Sequence, residues 1–282
     1  MPGIPTLALA DGTRIPQLGF GTWNVKPEDA ARVVGHALDA GYRHIDTAEM
    51  YRNEREVGEA VRASGLGRAD VYVTSKLNND AHRPDDARRA FDATLAALGS
   101  DYVDLFLIHW PLPTLYDGDF VQTWNALTAF ADEGRARSVG VSNFTEAHLA
   151  RLAAESDRVP SVNQIEVHPA FTNDALRAAC HARGIAVEAW SPLGQGDAVG
   201  HAAVVRIAER LGRTPAQAVL RWHIQRGDIV FPRSNTPAHI DANVRLFDFE
   251  LSPDDMADLT ALDQGAAGRK GPDPDTFDWM PD

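Results

Sequence analysis

A (β/α)8 barrel is the fold that this sequence predicts, and three observations carry it. Short β-type runs and amphipathic helical runs alternate along the chain, about eight times, over short connections. No composition break or linker separates one part of the series from another. An α/β barrel commonly fills ~200–250 residues as one unit, so 282 residues fit one domain spanning 1–282, with a little chain to spare at each end. An open doubly wound sheet is the alternative. It is disfavoured because no Gly-x-Gly-x-x-Gly follows the first strand, where that fold carries its dinucleotide fingerprint.

The elements follow in order. Leu7-Ala8-Leu9 and Arg14-Ile15 flank Asp11-Gly12, a hairpin signal lying ahead of the repeat. Gln17 to Gly21 reads as the first barrel strand, and Val33, Val34, Ala37 and Leu38 stripe the helix after it. After the turn Ala40-Gly41, residues Tyr42 to Asp46 alternate as a strand that gives way to a loop at Thr47-Ala48-Glu49. Val57, Ala60 and Val61 mark the next helix, and Val71 to Thr74 the next strand, ending in Ser75-Lys76. Phe91, Leu95 and Leu98 precede the strand Val103 to Ile108, which ends in His109-Trp110; Trp124, Leu127 and Phe130 follow.

The second half repeats the pattern. Ser138 to Val141 leads into Ser142-Asn143, then a helix with Leu149 and Leu152. Ser161 to Ile165 is a strand, followed by a helix with Leu176 and Cys180, and then the strand Ile185 to Trp190. Val204, Ile207 and Leu211 stripe one helix, and Thr214-Pro215 opens another as an N-cap and N1 pair. Ile229 to Phe231 is the last strand, with Asn243 to Leu246 in the last repeat helix. From Gly265 onward the chain is rich in Gly, Pro and Asp and is expected to run over the barrel mouth.

Composition narrows the function. A hydrophobic content of 44% supports a full core, and a net charge of −13 would repel phosphate backbones and anionic lipid. Nucleic acid and membrane partners are therefore not expected, although a local basic pocket for a small anion is allowed. The single Cys180 excludes an internal disulfide and a cysteine metal cluster. No basic segment followed by an apolar run opens the chain, and no stretch approaches ~18 apolar residues, so the cytoplasm is the expected location. No long apolar surface stripe is evident, which makes a monomer the expected state.

Polar residues collect at strand ends, where parallel α/β folds place their chemistry. In a barrel Asp46, Tyr51, Lys76, His109, Ser142, Asn143, Gln164 and Trp190 fall at one mouth. Taken singly, Asp46 reads as readily as an N-cap, Tyr51 as a packed aromatic, and Lys76 and His109 as structural groups. Together they form a chemical set. A Lys ending an apolar strand is costly unless a carboxylate balances it, and Asp46 lies on the neighbouring strand. A phenol is a poor acid at neutral pH, and an adjacent ammonium lowers its pKa. Tyr51 is thus a proton donor tuned by Lys76 and Asp46, and His109 is placed to polarise an oxygen beside it.

The same residues carry a family resemblance. Gly41-Tyr42-Arg43-His44-Ile45-Asp46-Thr47-Ala48 with Tyr51-Arg52-Asn53-Glu54, Ser75-Lys76-Leu77, Ile108-His109-Trp110-Pro111 and Gly140-Val141-Ser142-Asn143-Phe144 are the first of these motifs. Asn163-Gln164-Ile165-Glu166-Val167-His168-Pro169, Trp190-Ser191-Pro192-Leu193-Gly194 and Pro232-Arg233-Ser234 complete the set. The chain resembles the aldo-keto reductases from its hairpin to its tail. The short loop between Trp110 and Trp124, and the tail Gly271 to Phe277, resemble the prokaryotic 2,5-diketo-D-gluconate reductase-like branch.

The resemblance implies hydride transfer from a reduced dinucleotide to a carbonyl carbon, with Tyr51 protonating the oxygen and Asp46, Lys76 and His109 assisting. It implies cofactor contacts at Thr22, Trp23, Ser142, Asn143 and Gln164, and stacking of the nicotinamide on Trp190. Ser191, Leu193, Gly194 and Gln195 would cover the pyrophosphate, and Arg233, Ser234, His239 and Asn243 would lie at the adenosine half. NADPH is the expected cofactor, with NADH used less efficiently. His239 stands where the family carries an Arg and Ala242 where it carries a Glu, and a histidine bears full charge only when protonated. Trp23, Trp110 and Phe277 are expected to wall the pocket for a small aldehyde, α-dicarbonyl or keto-sugar.

Two other functions compete for these residues. His44, His109 and His168 would serve a metallohydrolase barrel, but no further ligand pair has metal spacing and Lys76 opposes a cation. No metal is expected. A non-catalytic dinucleotide-binding redox sensor on the same fold would have no need of all four of Asp46, Tyr51, Lys76 and His109.

Overall fold

A computed structural model describes residues 3–281. The hairpin comes first, as β1 (Thr6–Ala8) and β2 (Arg14–Pro16) paired antiparallel. Eight parallel strands then lie side by side in chain order: β3 (Phe20–Gly21), β4 (His44–Asp46), β5 (Tyr72–Leu77), β6 (Val103–Ile108), β7 (Ala136–Ser142), β8 (Val162–Glu166), β9 (Ala186–Trp190) and β10 (Ile229–Val230). The sheet closes on itself where Leu18 bridges Val230 in parallel and Gly19 N donates to Val230 O at 2.7 Å. Helices α1 (Pro27–Ala40), α2 (Glu54–Ala63), α3 (Pro84–Leu98), α4 (Phe120–Asp132), α5 (Glu146–Glu155), α6 (Asp174–Ala182), α7 (Ala202–Leu211), α8 (Pro215–Arg226) and α9 (Pro237–Asn243) form the outer layer. The predicted (β/α)8 barrel is the observed fold.

Two apolar regions hold it. One lies between strands and helices, where Phe91, Phe106 and Phe130 stack and Trp124, Leu127 and Trp222 are fully buried. Each such side chain contributes ~1.5–3 kcal/mol by leaving water. The other fills the base of the barrel, where Leu105, Leu107, Val162 and Ile229 meet Leu9 and Ile15 of the hairpin. Asp11 of the hairpin turn accepts from Ser161 Oγ at 2.7 Å, so the hairpin stoppers the end opposite the strand carboxyl termini. α8 begins with a reciprocal cap: Gln217 N donates to Thr214 Oγ1 at 3.1 Å and Thr214 N to Gln217 Oε1 at 3.0 Å.

Several element ends differ from the sequence reading, and one helix was not foreseen. The first barrel strand is shorter than Gln17 to Gly21: only Phe20 and Gly21 pair with β4, while Gln17 to Gly19 touch the sheet through single bonds to Val230 of β10. The last repeat helix ends at Asn243, leaving Leu246 in the segment beyond it. A further helix, α10 (Pro253–Thr260), packs on α7 and α8. Its start was encoded in Ser252-Pro253 and in Asp255, which returns the cap to Ser252 N at 2.9 Å. Among the described residues no helix is long and apolar enough to cross a membrane.

Candidate active site

Four polar side chains converge at the carboxyl-terminal mouth of the strands. Asp46 is the last residue of β4, and Tyr51 closes a 3-10 turn, Glu49–Tyr51, just beyond it. Lys76 lies in β5, two residues past the Thr74 that pairs with Asp46. His109 follows β6 directly. Lys76 Nζ donates to Asp46 Oδ1 at 2.8 Å and to Thr47 O at 2.9 Å. The ammonium sits 4.9 Å from the Tyr51 ring centroid, and the His109 ring meets that ring edge-on at 5.7 Å. Asn53 ties the loop beneath them, donating to Thr22 O and Val25 O while accepting from Thr47 Oγ1 at 2.9 Å.

The protonation states follow from burial and from the Lys76–Asp46 pair. Burial alone would discharge Lys76, but Asp46, and after it Tyr51, hold its pKa above the ordinary value. Burial raises Asp46, and Lys76 and Gln164 only partly offset it. Burial also raises the Tyr51 phenol, Lys76 pulls it down, and the net direction is upward. The expected lowering by Lys76 is therefore present but outweighed by burial, and the phenol stands protonated. Burial, reinforced by Lys76, drives His109 well below its ordinary value, so its imidazole is neutral. Among the described residues, His109 Nδ1 is buried without a hydrogen-bond partner.

A second group sets a flat wall beside these four. Trp190 Nε1 donates to Asn143 Oδ1 at 2.8 Å, and Asn143 Nδ2 donates to His109 O at 2.9 Å and Ser142 Oγ at 3.0 Å. Ser142 Oγ in turn donates to Gln164 O at 2.9 Å. Asn143 adopts the left-handed conformation, φ 63°, which Asn tolerates better than most residues. Gln164 reaches across the barrel to Asp46, Nε2 to Oδ2 2.8 Å.

The remaining predicted residues differ in burial. Thr22 is fully buried and its hydroxyl donates to Asp46 O at 3.0 Å, so it backs the site from below. Trp23 stands half in solvent at the rim. Ser191 and Gln195 take positive φ on either side of Leu193 and Gly194, in a loop pinned by His223 Nε2 against Pro192 O at 3.1 Å. Arg233 and His239 are exposed, Ser234 is half-buried, and Asn243 is buried at the end of α9. Arg233 makes no ion pair among the described residues. Trp110 stacks on Phe277 at 4.1 Å between centroids, which brings the tail onto the mouth.

Sequence reasoning missed the groups that hold the tail. Glu166 Oε1 accepts from Lys270 N at 2.6 Å and from His168 Nε2 at 2.9 Å, and Oε2 accepts from Gly271 N at 2.9 Å. Gly271 passes so close to Trp190 that a Cβ there would lie 2.4 Å from Cη2, which only glycine avoids. It also missed Glu188, although a carboxylate inside the apolar run Ala186-Val187-Glu188-Ala189 was a visible signal. His168, bound to Glu166, and His44, bound to Thr74 Oγ1 at 3.0 Å, stand apart from His109. Among the described residues no set of His, Cys, Asp and Glu is arranged to hold a metal ion.

Comparison with known proteins meets this geometry. A model of the Aldo/keto reductase family matches residues 17–264. The chain belongs to that family. An aldo-keto reductase of Mycobacterium sp. (strain KMS) is 49% identical over 277 residues, covering 98% of this chain and 99% of the relative. Methylglyoxal reductase DkgA of Yersinia pestis is 43% identical over 97% of each chain. Among solved structures, a point mutant of Gox0644 in complex with NADPH superimposes with a TM-score of 0.94 at 39% identity, over 98% of this chain and 100% of that one.

Proposed function

We propose that this aldo-keto reductase reduces aldehyde and ketone carbonyls with NADPH, Tyr51 giving its proton to the carbonyl oxygen. The observation that carries the reading is the meeting of a protonated phenol, a buried Lys76–Asp46 pair and a neutral imidazole at one mouth. When bound, the reduced nicotinamide supplies the hydride. Tyr51 donates from its hydroxyl, and Lys76 stabilises the phenolate left behind because its charge is fixed 4.9 Å from the ring. Asp46 keeps Lys76 charged in a site closed to water. His109, being neutral, offers an N–H to the developing oxygen charge without competing as an acid.

The residues present fit a dinucleotide. Trp190 offers an aromatic surface, fixed through Asn143, on which a nicotinamide can lie. Both hydrogens of the Gln164 amide are engaged with carboxyl groups, which leaves its carbonyl oxygen for a carboxamide donor. Arg233, exposed and without an ion-pair partner among the described residues, suits a 2′-phosphate, which favours NADPH and leaves NADH as the weaker cofactor. The wall of Trp110 and Phe277 suits a compact carbonyl substrate. Among small aldehydes, α-dicarbonyls and keto-sugars, the relative named methylglyoxal reductase favours the α-dicarbonyls. The decisive assay is oxidation of NADPH by methylglyoxal and a panel of aldehydes and keto-sugars. Turnover of at least one is expected, and a protein that binds NADPH but turns over none would sink the reading.

A further inference from the structure

We infer that Glu188 is a positioning residue: with Asp46 it locks the Gln164 amide so that the carbonyl oxygen, not the amino group, faces the nicotinamide. The inference rests on the dinucleotide reading of the site and adds a residue from the layer beneath it. Glu188 in β9 stands in register with Gln164 in β8 and is fully closed off from solvent. Gln164 Nε2 lies 2.8 Å from Asp46 Oδ2 and 2.9 Å from Glu188 Oε2. A primary amide has two N–H donors on one nitrogen, and here each is directed to a different carboxyl oxygen. The oxygen of the amide is thereby turned away from both. With one of the two acceptors removed, an N–H is orphaned and that orientation is no longer doubly determined.

The groups facing Glu188 explain why it serves position rather than charge. From β4 come His44, whose Nε2 lies 3.9 Å from Glu188 Oε1, and Asp46; from β5 come Lys76 and Tyr72. Lys76 spends its hydrogen bonds on Asp46 and Thr47 O, so no cation pairs with Glu188. Burial, and after it Asp46, pushes the Glu188 carboxyl up to about 8, while burial holds His44 down to about 3. The contact between them is one of neutral groups at pH 7.

The test compares NADPH with 2′,5′-ADP, a fragment that holds the adenosine contacts and lacks the nicotinamide. In Glu188→Leu the dissociation constant for NADPH is expected to rise about tenfold, the scale of one lost hydrogen bond, with that for 2′,5′-ADP unchanged. Glu188→Gln keeps an acceptor in place and is expected to restore the parent ratio. Equal effects on NADPH and 2′,5′-ADP in Glu188→Leu, or no effect on either, would overturn the inference. If Glu188→Leu does not fold, the same two dissociation constants measured in Glu188→Ala decide by the same criteria. A parent protein that binds neither 2′,5′-ADP nor NADPH would instead remove the dinucleotide reading on which the inference stands.

Discussion

Lys76 Nζ lies 2.8 Å from Asp46 Oδ1, and both side chains are almost wholly closed off from solvent. A charge in such a place is stable only with its partner, so removing one partner costs more than removing both. Asp46→Asn is expected to lower the unfolding free energy by about 3–5 kcal/mol, because Lys76 is left buried and uncompensated. The double variant Asp46→Asn with Lys76→Met should regain most of that stability and none of the activity. Urea unfolding of the three proteins is the measurement. Additive losses would show that the two groups do not depend on each other.

Tyr51→Phe removes one hydroxyl and leaves the ring between Lys76 and His109. Turnover is expected to fall at least ~10²-fold, the usual scale for losing a general acid, with NADPH affinity unchanged. Lys76→Met should be comparably slow, since a buried phenol without the ammonium holds its proton still more tightly. Near-normal turnover in Tyr51→Phe would exclude the phenol as donor.

Glu54, at the start of α2, is buried and accepts from Ser75 Oγ and Thr94 Oγ1. Burial is the main cause that pushes its carboxyl from 4.5 up to about 7, against the lowering by Ser75. The folded state then binds the proton more tightly than the unfolded one. The stability from this group is full below the unfolded value and is lost as pH rises through the folded value. Glu54→Gln cannot ionise, so its stability relative to the parent should improve by roughly 2 kcal/mol between about pH 5 and pH 8. Unfolding curves at the two values check it, and parallel behaviour of the two proteins would refute it.

The fold was legible because strand and helix periods alternate cleanly and the strand ends carry the polar residues. Asp46, Tyr51, Lys76 and His109 could be grouped from position alone, since parallel strands deliver their ends to one face. What escaped was contact across the barrel and between distant segments. Nothing in local spacing says that Gln164 reaches Asp46, or that Glu166 accepts two tail amides more than a hundred residues on. The sign of the Tyr51 shift escaped for the same reason. Lys76 was visible in the sequence, but the depth of burial that outweighs it was not.

On the proposed reading, cofactor choice turns on two exposed side chains. Arg233 and His239 both stand in solvent, His239 on the short helix α9. A guanidinium in place of the imidazole adds a permanent charge and a bidentate geometry toward a 2′-phosphate. His239→Arg is therefore expected to strengthen NADPH binding by about 1–2 kcal/mol while leaving NADH unchanged. Arg233→Ala should reduce the NADPH to NADH ratio of kcat/KM toward one. Equal changes for the two cofactors in either variant would place the phosphate elsewhere.

The tail is held to the barrel mainly by polar contacts, Asp275 with Thr145 and His148 and Lys270 with Asp197 among them, and several others touch the mouth. Glu166 holds Lys270 N and Gly271 N, Gly271 lies against Trp190, and Phe277 stacks on Trp110 beside His109. Beyond Phe277, Trp279 and Met280 are largely exposed, although Trp279 O accepts from Asn79 Nδ2 at 2.8 Å. Most of the tail thus buries little apolar surface and adds little to global stability. Removing residues 271–282 is expected to lower Tm by no more than about 2–4 °C, the equivalent of ~1 kcal/mol in a protein of this size. KM for carbonyl substrates should rise about tenfold, because Trp110 loses its stacking partner and one wall of the pocket opens. Preference among the substrates should shift toward larger carbonyls for the same reason. An unchanged substrate profile with a large fall in Tm would mean that the tail acts as a brace for the barrel and not as a wall of the site.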